Sequence, residues 1–247
     1  VSGDASFRRY FRVEQQPNNN SSPVQWIAMD APPEKENSLP FVAIARHWEP
    51  KGIQVPHIEA VDLDQGFMLL RDFGDTLLLT ATSIDPSRAE SLYHSALTTL
   101  INIQSCSTPA DYSLPPYDHE LLAREVELFR EWLVSKKLGI TLSPENHTLL
   151  DRSFEFLIDE ALAQPTVCVH RDYHSRNLML LPNGQLGLLD FQDAVMGPVT
   201  YDPVSLLEDC YSSWPLQQVT AWSEQARQQL APTIGAQQWQ CWFDGMG

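Results

Sequence analysis

The chain has 247 residues, 43% of them hydrophobic, and 32 acidic against 16 basic residues give it a formal net charge of -16. This length and apolar content suffice for one core or two packed lobes and exclude a disordered chain. The acidic excess argues against nucleic acids and anionic membranes as partners, because both require a dense cationic surface.

Apolar runs and cysteines narrow the class further. No apolar run approaches the ~20 residues that span a bilayer, and the first residues lack the basic and apolar parts of a signal peptide. The four cysteines form no CxxC pair, which argues against a zinc site and a thiol redox motif. We therefore expect a cytoplasmic protein with reduced thiols.

The first third of the chain predicts a small sheet with one helix. Residues 6–13 alternate apolar and polar side chains, and an Asn/Ser-rich turn separates them from a second apolar run at residues 24–29, which together predict a hairpin. After Pro32-Pro33, residues 41–48 predict a short helix. Residues 58–61 and 67–70 predict two further strands.

Helix signals dominate after Gly74. Asp85-Pro86, Asp118 and Ser143-Pro144 each combine an N-cap residue with a following apolar helical face. The second of these helices is expected to stop at Gly139. Asp202-Pro203 is expected to cap a later helix that runs through residue 211.

A hairpin is predicted between these helices. Residues 166–169 form a short apolar run. The segments 177–181 and 186–189, apolar except for Asn177, flank the turn Pro182-Asn183-Gly184. The candidate catalytic residues of the chain lie at the outer ends of this hairpin.

Three of those polar residues have the spacing of a phosphoryl-transfer centre. Asp172 and Asn177 precede the first hairpin strand, and Asp190 ends the second. Because the outer ends of a hairpin meet, we expect Asn177 and Asp190 to face each other with Asp172 beside them. Carboxylate and amide oxygens are ligands that Mg²⁺ accepts together with phosphate oxygens. The pattern matches the H-R-D-x-x-x-x-N loop of protein kinases, so it favours catalysis over ordinary turn-capping residues.

Other positions disfavour a protein kinase. The segment Val42-Ala43-Ile44-Ala45 has alanine where a protein kinase has its phosphate lysine, and the chain has no GxGxxG loop. Asp190-Phe191 is followed by Gln192 where the kinase motif has glycine.

The pattern resembles the aminoglycoside phosphotransferase and choline kinase-like family of small-molecule kinases. Residues 3–12, 29–34 and 70–75 also resemble a narrower group of anomeric kinases for N-acetylmuramate and N-acetylglucosamine in bacterial cell-wall recycling. The family signature, His-x-Asp-x4-Asn, a hairpin ending in aspartate and Gly-Pro-x-x-x-Asp-Pro, is matched by His170, Asp172, Asn177, Asp190, Gly197-Pro198 and Asp202-Pro203.

The resemblance implies an α+β, bilobal protein-kinase-like fold. Residues 1–73 would form a small N-terminal β-sheet lobe with one helix, and residues 74–247 a larger, mainly helical C-terminal lobe that carries the catalytic β-hairpin. ATP would lie between the lobes and a small amino sugar in the helical lobe of a monomer, with no nucleic-acid or membrane partner. The family chain is longer, so truncation at both ends is expected.

The resemblance also implies roles for individual residues. Asp172 would accept the proton of the anomeric hydroxyl, Asn177 and Asp190 would hold Mg²⁺, and His170 and Asp202 would brace the loop. The nucleotide would contact the phosphate loop Gly3, Asp4, Ala5 and Ser6 and the hinge Leu70, Arg71, Asp72 and Phe73. Besides Asp172, the sugar contacts would come from Arg124, Arg176 and Asp193.

The sequence does not identify which basic residue binds the phosphates of ATP. Strand residues 25–29 contain no lysine, so Arg8 or Arg9 is expected to replace it, with Glu36 as a candidate ion-pair partner. A lactate-bearing substrate would require an arginine in the helical lobe, for which Arg124, Arg130 and Arg176 are candidates. Two alternatives stay open: a kinase for an aminoglycoside, choline or homoserine, and a nucleotide-binding module without turnover.

Overall fold

The computed structural model of the protein describes residues 7–15 and 24–247. The elements are mixed α and β. The strands are β1 (Arg9–Gln15), β2 (Val24–Asp30), β3 (Ile58–Asp62), β4 (Phe67–Arg71), β5 (Thr166–Val169), β6 (Leu178–Leu180), β7 (Leu186–Leu188) and β8 (Val195–Pro198). The helices are α1 (Leu39–Trp48), α2 (Leu78–Ile84), α3 (Ala89–Gln104), α4 (His119–Leu128), α5 (Pro144–Leu162), α6 (Tyr201–Leu207), α7 (Leu216–Leu230) and α8 (Ala236–Met246).

The N-terminal strands form one antiparallel sheet in the order β1-β2-β4-β3. Arg9 of β1 pairs with Asp30 of β2, and Ile27 of β2 pairs with Leu70 of β4. Among the described residues of this half, the one α-helix, α1, buries Ile44 and Trp48 completely. The predicted sheet with one helix is confirmed.

The C-terminal half is mainly helical, as predicted. The expected N-caps are present: the carboxylate of Asp85 accepts from the backbone N–H of Ser87 at 3.1 Å, and that of Asp118 from Leu121 at 3.0 Å. Asp85 first opens a short 3₁₀ turn, Pro86–Arg88, which leads into α3.

Several elements differ from the sequence-based expectation. Helices α2, α7 and α8 and strand β8 were not predicted as elements. The helix that begins after Asp118 changes to π-helical geometry at Phe129–Lys137, where the N–H of Leu138 donates to the carbonyl of Leu133, five residues earlier. It stops at Gly139, which has φ +65°, as expected for a helix C-terminus.

The prediction for Asp202 as a helix cap was wrong. Helix α6 begins at Tyr201 with Thr200 in the N-cap position, so Asp202 lies inside the first turn. Its carboxylate instead bonds the loop after β5. The helix also ends at Leu207 rather than at residue 211.

The hairpin β6–β7 connects the two halves of the chain. The N–H of Leu188 donates to the carbonyl of Gln54 at 2.7 Å on one side, and the N–H of Leu180 donates to the carbonyl of Thr76 at 2.8 Å on the other. One continuous core runs through both halves. In it, the ring of Phe191, just after the hairpin, lies 4.7 Å from Phe41 and 5.9 Å from Trp48. The segment that follows β7 is thus fixed to α1 by aromatic packing.

Within the described residues, no helix is both long enough and apolar enough to cross a bilayer.

Candidate active site

The loop after β5 is held by a buried carboxylate. Asp202 accepts hydrogen bonds from the backbone N–H of His170 at 2.8 Å and of Arg171 at 3.0 Å. Burial raises the pKa of Asp202 to about 7, and the two N–H donors oppose this shift. Arg171 has φ +80°, a conformation that non-glycine residues rarely adopt. Asp202 therefore stabilises a strained turn immediately before Asp172.

The side chain of His170, in the same turn, is fully buried. Burial lowers its pKa to about 3, so the imidazole is neutral at physiological pH. Its Nδ1 accepts from the N–H of Asp172 at 3.3 Å, and its ring meets Tyr173 edge to face with centroids 5.5 Å apart. These contacts are those of a residue that shapes the loop.

Asp172 lies close to a second carboxylate. Burial raises its pKa, and the negative charge of Asp190 raises it further. Asp190 has φ +61°, so a second strained residue flanks the same space. A partly buried carboxylate with a raised pKa is a stronger proton acceptor than an exposed one.

Asn177 faces this pair from the hairpin end. Its Nδ2 donates to the carbonyl of Asp172 at 3.0 Å and lies 3.5 Å from Nε2 of His174. Its own carbonyl accepts from the N–H of Leu189 at 2.9 Å, which joins the outer ends of the two hairpin strands. The hairpin thus brings Asp172, Asn177 and Asp190 together.

Gln192 is a site residue that sequence reasoning did not find. Its Nε2 donates to Oδ1 of Asp190 at 2.8 Å and to Oδ2 of Asp193 at 3.2 Å. The amide therefore links two acidic side chains. The only sequence signal was its position directly after Asp190-Phe191, where the kinase motif has glycine.

The two arginines considered for the phosphate position have different partners. Arg8 lies 3.4 Å from the carboxylate of Glu36, and both side chains are largely buried, 8% and 14% exposed. Arg9 forms an ion pair with Asp30, and its side chain is 63% exposed. The predicted phosphate loop, Gly3 to Ser6, lies outside the described residues.

Tyr10 reaches the same region from β1. The residue is 39% exposed overall, but desolvation of its hydroxyl raises its pKa, which the charge of Arg8 lowers and that of Asp190 raises. The charges of both Arg8 and Asp190 therefore act on the Tyr10 hydroxyl. Sequence reasoning assigned it only to a strand.

The predicted hinge packs on the β6–β7 hairpin. A Cβ atom added to Gly187 of β7 would lie 2.6 Å from the ring of Phe73. Arg12 of β1 lies 2.5 Å from the carboxylate of Asp72 and 2.8 Å from that of Asp75. Leu70 is buried in β4, and Arg71 is exposed.

A groove of about 360 Å³ opens beside the loop after β5. We call it the α4 groove because the start of α4 forms one wall, and residues 192–195 form part of the other. Its polar lining consists of Tyr112, Asp118, Glu120, Arg124, Arg171, Gln192 and Asp193. Two of the three predicted sugar contacts beyond Asp172, Arg124 and Asp193, therefore line one groove.

The other arginines of this region have defined partners. Arg176 lies over the ring of Tyr211 at 4.8 Å from its centroid. Arg171 donates to Glu125 at 2.6 Å, and Arg130 forms an ion pair with Asp151.

Metal donors are sparse. Over residues 7–15 and 24–247, no group of three or more His, Cys, Asp or Glu side chains gathers at metal-binding spacing. The metal donors predicted at the hairpin end are one carboxylate and one amide, Asp190 and Asn177. This set suits a hard cation that takes its remaining ligands from phosphate and water.

Residues 1–240 match the sequence model of a family described as the phosphotransferase enzyme family. The chain is 46% identical over 223 residues to the N-acetylmuramate/N-acetylglucosamine kinase of Pseudomonas putida, with 90% of this chain and 62% of that protein covered. It is 38% identical over 254 residues to the enzyme of the same name from Neisseria meningitidis serogroup B, with 100% of this chain and 73% of that protein covered. The chain therefore spans about three fifths of the length of its Pseudomonas relative.

The fold has solved counterparts at low sequence identity. The ADP-bound crystal structure of aminoglycoside phosphotransferase APH(2'')-Ib superimposes with a TM-score of 0.60 at 15% identity, covering 94% of this chain and 80% of that one. At that identity the likeness shows the fold alone. The predicted α+β, kinase-like fold and the predicted family resemblance are both confirmed.

Proposed function

We propose, from the premise that this chain belongs to the phosphotransferase enzyme family, that it transfers the γ-phosphoryl group of ATP to the anomeric hydroxyl of N-acetylmuramate or N-acetylglucosamine. The product would be the sugar 1-phosphate of peptidoglycan recycling. The observation that carries the reaction type is the meeting of Asp172, Asn177 and Asp190 at one end of a hairpin beside a groove. The substrate rests on relatives at 38% and 46% identity whose names state these sugars.

Asp172 is the proton acceptor in this proposal. The anomeric oxygen attacks the γ-phosphorus, its O–H proton passes to the Asp172 carboxylate, and the bond from the γ-phosphorus to the bridging oxygen breaks as ADP leaves. The raised pKa of Asp172, caused first by burial, supports this role because it moves the carboxyl towards the working pH. Activity should therefore fall as the pH drops and Asp172 becomes protonated.

Asn177 and Asp190 would hold Mg²⁺. The ion would neutralise charge on the ATP phosphates, which is the main contribution that phosphoryl transfer requires of its catalyst. Gln192 holds one oxygen of Asp190 and so orients the other. The hydrogen bond from Asn177 Nδ2 to the Asp172 carbonyl likewise directs the amide oxygen away from that carbonyl.

Arg8, rather than Arg9, is the proposed phosphate cation. A buried arginine held by a glutamate corresponds in chemistry to the lysine–glutamate pair of protein kinases. Arg9 is exposed and paired with Asp30, which favours a surface role. The hinge residues Leu70 to Phe73 would meet the adenine.

The experiment is turnover of Asp172→Asn against a matched surface control. ADP release is measured with Mg²⁺-ATP and each sugar, with the methyl glycoside of each sugar as the blocked acceptor. Asp172→Asn should bind ATP normally and lose transfer by about 10³-fold or more. Asp64→Asn, an exposed aspartate in the β3–β4 turn, should keep full activity. Equal turnover of the two variants would refute the role of Asp172.

A kinase for a cationic alcohol is the second candidate. The α4 groove contains three acidic side chains, Asp118, Glu120 and Asp193, which would attract an ammonium group. Kanamycin and choline therefore belong in the same substrate panel. Turnover of either one, with neither amino sugar phosphorylated, would replace the first proposal with this one.

A further inference from the structure

One arginine of the α4 groove is distinguished by its lack of a compensating partner. Arg171 donates to Glu125 at 2.6 Å, so its charge is balanced. Arg124 lines the same groove, and among the residues that the structure describes it forms no ion pair, hydrogen bond or ring contact. Arg130 and Arg176, the other arginines considered for a substrate anion, are engaged by Asp151 and by the ring of Tyr211.

The position of Arg124 on its helix directs it to the groove. Glu120 and Leu121 lie one turn earlier on α4 and line the same cavity, so Arg124 belongs to the groove-facing side of the helix. The next residue, Glu125, instead bonds Arg171 and Tyr117.

The charges around Arg124 indicate that an anionic group can bind in the α4 groove only with its help. Asp118, Glu120 and Asp193 line the groove and would repel a carboxylate. Arg171 is the other cation there, and Glu125 already neutralises it. An anionic group in this groove therefore depends on Arg124, whereas a neutral group does not.

The two sugars in the names of the relatives differ in charge. N-acetylmuramate carries a lactyl ether that ends in a carboxylate, and N-acetylglucosamine has a neutral hydroxyl at the same carbon. We propose that Arg124 is a specificity-determining residue that binds the lactyl carboxylate and so decides how well the muramate is used relative to the glucosamine. This inference rests on the proposed function.

The test compares both sugars in one charge-removing variant. Arg124→Met should lower kcat/KM for N-acetylmuramate about tenfold or more, because a charge-assisted hydrogen bond is lost. It should leave kcat/KM for N-acetylglucosamine within about twofold. Arg124→Lys, which keeps the charge but loses the two-pronged geometry, should fall between wild type and Arg124→Met. Arg152→Met, an exposed arginine on α5 that lies outside the α4 groove, is the matched control and should change neither sugar.

A change in the substrate completes the comparison. The methyl ester of N-acetylmuramate lacks the negative charge, so wild type should use it less well than the free acid. Arg124→Met should use the free acid no better than the ester, because Asp118, Glu120 and Asp193 still repel the carboxylate. Equal losses for the two sugars in Arg124→Met, or a continued preference for the free acid, would overturn the role of Arg124. Absence of turnover on either sugar in the wild type would instead refute the proposed function, so the two failures are distinguishable.

Discussion

Replacing Gly187 by alanine tests the contact between the catalytic hairpin and the hinge. The new Cβ would lie 2.6 Å from two ring carbons of Phe73 and 3.2 Å from a methyl group of Leu181. Ordinary contact begins at 3.4 Å, so the Phe73 ring must move by about 1 Å. Gly187 does not have a positive φ, so the backbone itself accepts alanine and the effect is steric.

The size of the effect follows from overpacking. Adding a methyl group to a filled site costs about 1–3 kcal/mol. Phe73 is half-buried and can yield outwards, so we expect the lower part of this range in the free energy of unfolding. Displacement of the hinge should mainly weaken nucleotide binding. A loss of 1 kcal/mol in the free energy of ATP binding corresponds to about a fivefold rise in KM for ATP.

Urea unfolding and steady-state kinetics with varied ATP measure both quantities. Gly235→Ala is the control, because its new Cβ would meet no atom within 4 Å. The double variant Gly187→Ala/Phe73→Leu should recover part of the stability, since the smaller side chain relieves the clash. If Gly187→Ala matched Gly235→Ala in both assays, or if Phe73→Leu gave no relief, the steric reasoning would be refuted.

Two further predictions concern the charged groups that support the site. Arg8→Met should lower kcat by about 10²-fold, whereas Arg9→Met, which removes an exposed ion pair with Asp30, should stay within about twofold; equal losses would exclude Arg8 as the phosphate cation. For Asp202, burial raises the pKa from 3.8 to about 7, so the folded state binds this proton more tightly than the unfolded state. The free energy of unfolding should therefore contain a component that decreases as the pH rises from about 4 to about 7. Urea unfolding over this range should show that component in wild type and not in Asp202→Asn, and an identical slope in the two proteins would contradict it.

The sequence predicted correctly those helices and strands whose ends carry turn or N-cap residues. The catalytic hairpin was placed correctly because Pro182-Asn183-Gly184 forces a turn between two apolar runs. Helix α2 was missed because Leu77, its N-cap residue, offers no side-chain acceptor and the helix has only seven residues. Strand β8 was missed because Gly197-Pro198 reads as a break, although it pairs with β5.

Tertiary contacts account for what the sequence left open at the site. Asp202-Pro203 has the local form of a helix cap, yet burial beside the catalytic loop gives the carboxylate two other N–H donors. The sequence suggested Glu36 as an ion-pair partner but not which arginine it contacts. Glu36 lies 28 positions from Arg8 and 27 from Arg9, so only the fold selects Arg8. Gln192 is different, because its two partners, Asp190 and Asp193, are sequence neighbours, and only the backbone conformation after β7 lets one amide reach both.

The backbone bonds of the small hairpin have a consequence for protein engineering. Leu188 is tied to Gln54 in the N-terminal half, and Leu180 to Thr76 just after the hinge. A fragment beginning at residue 74 would lose the first of these bonds and expose an unpaired strand edge next to the catalytic aspartates. A swap of nucleotide-binding halves between relatives should therefore keep residues 53–55 together with the hairpin that they support, and place the crossover elsewhere.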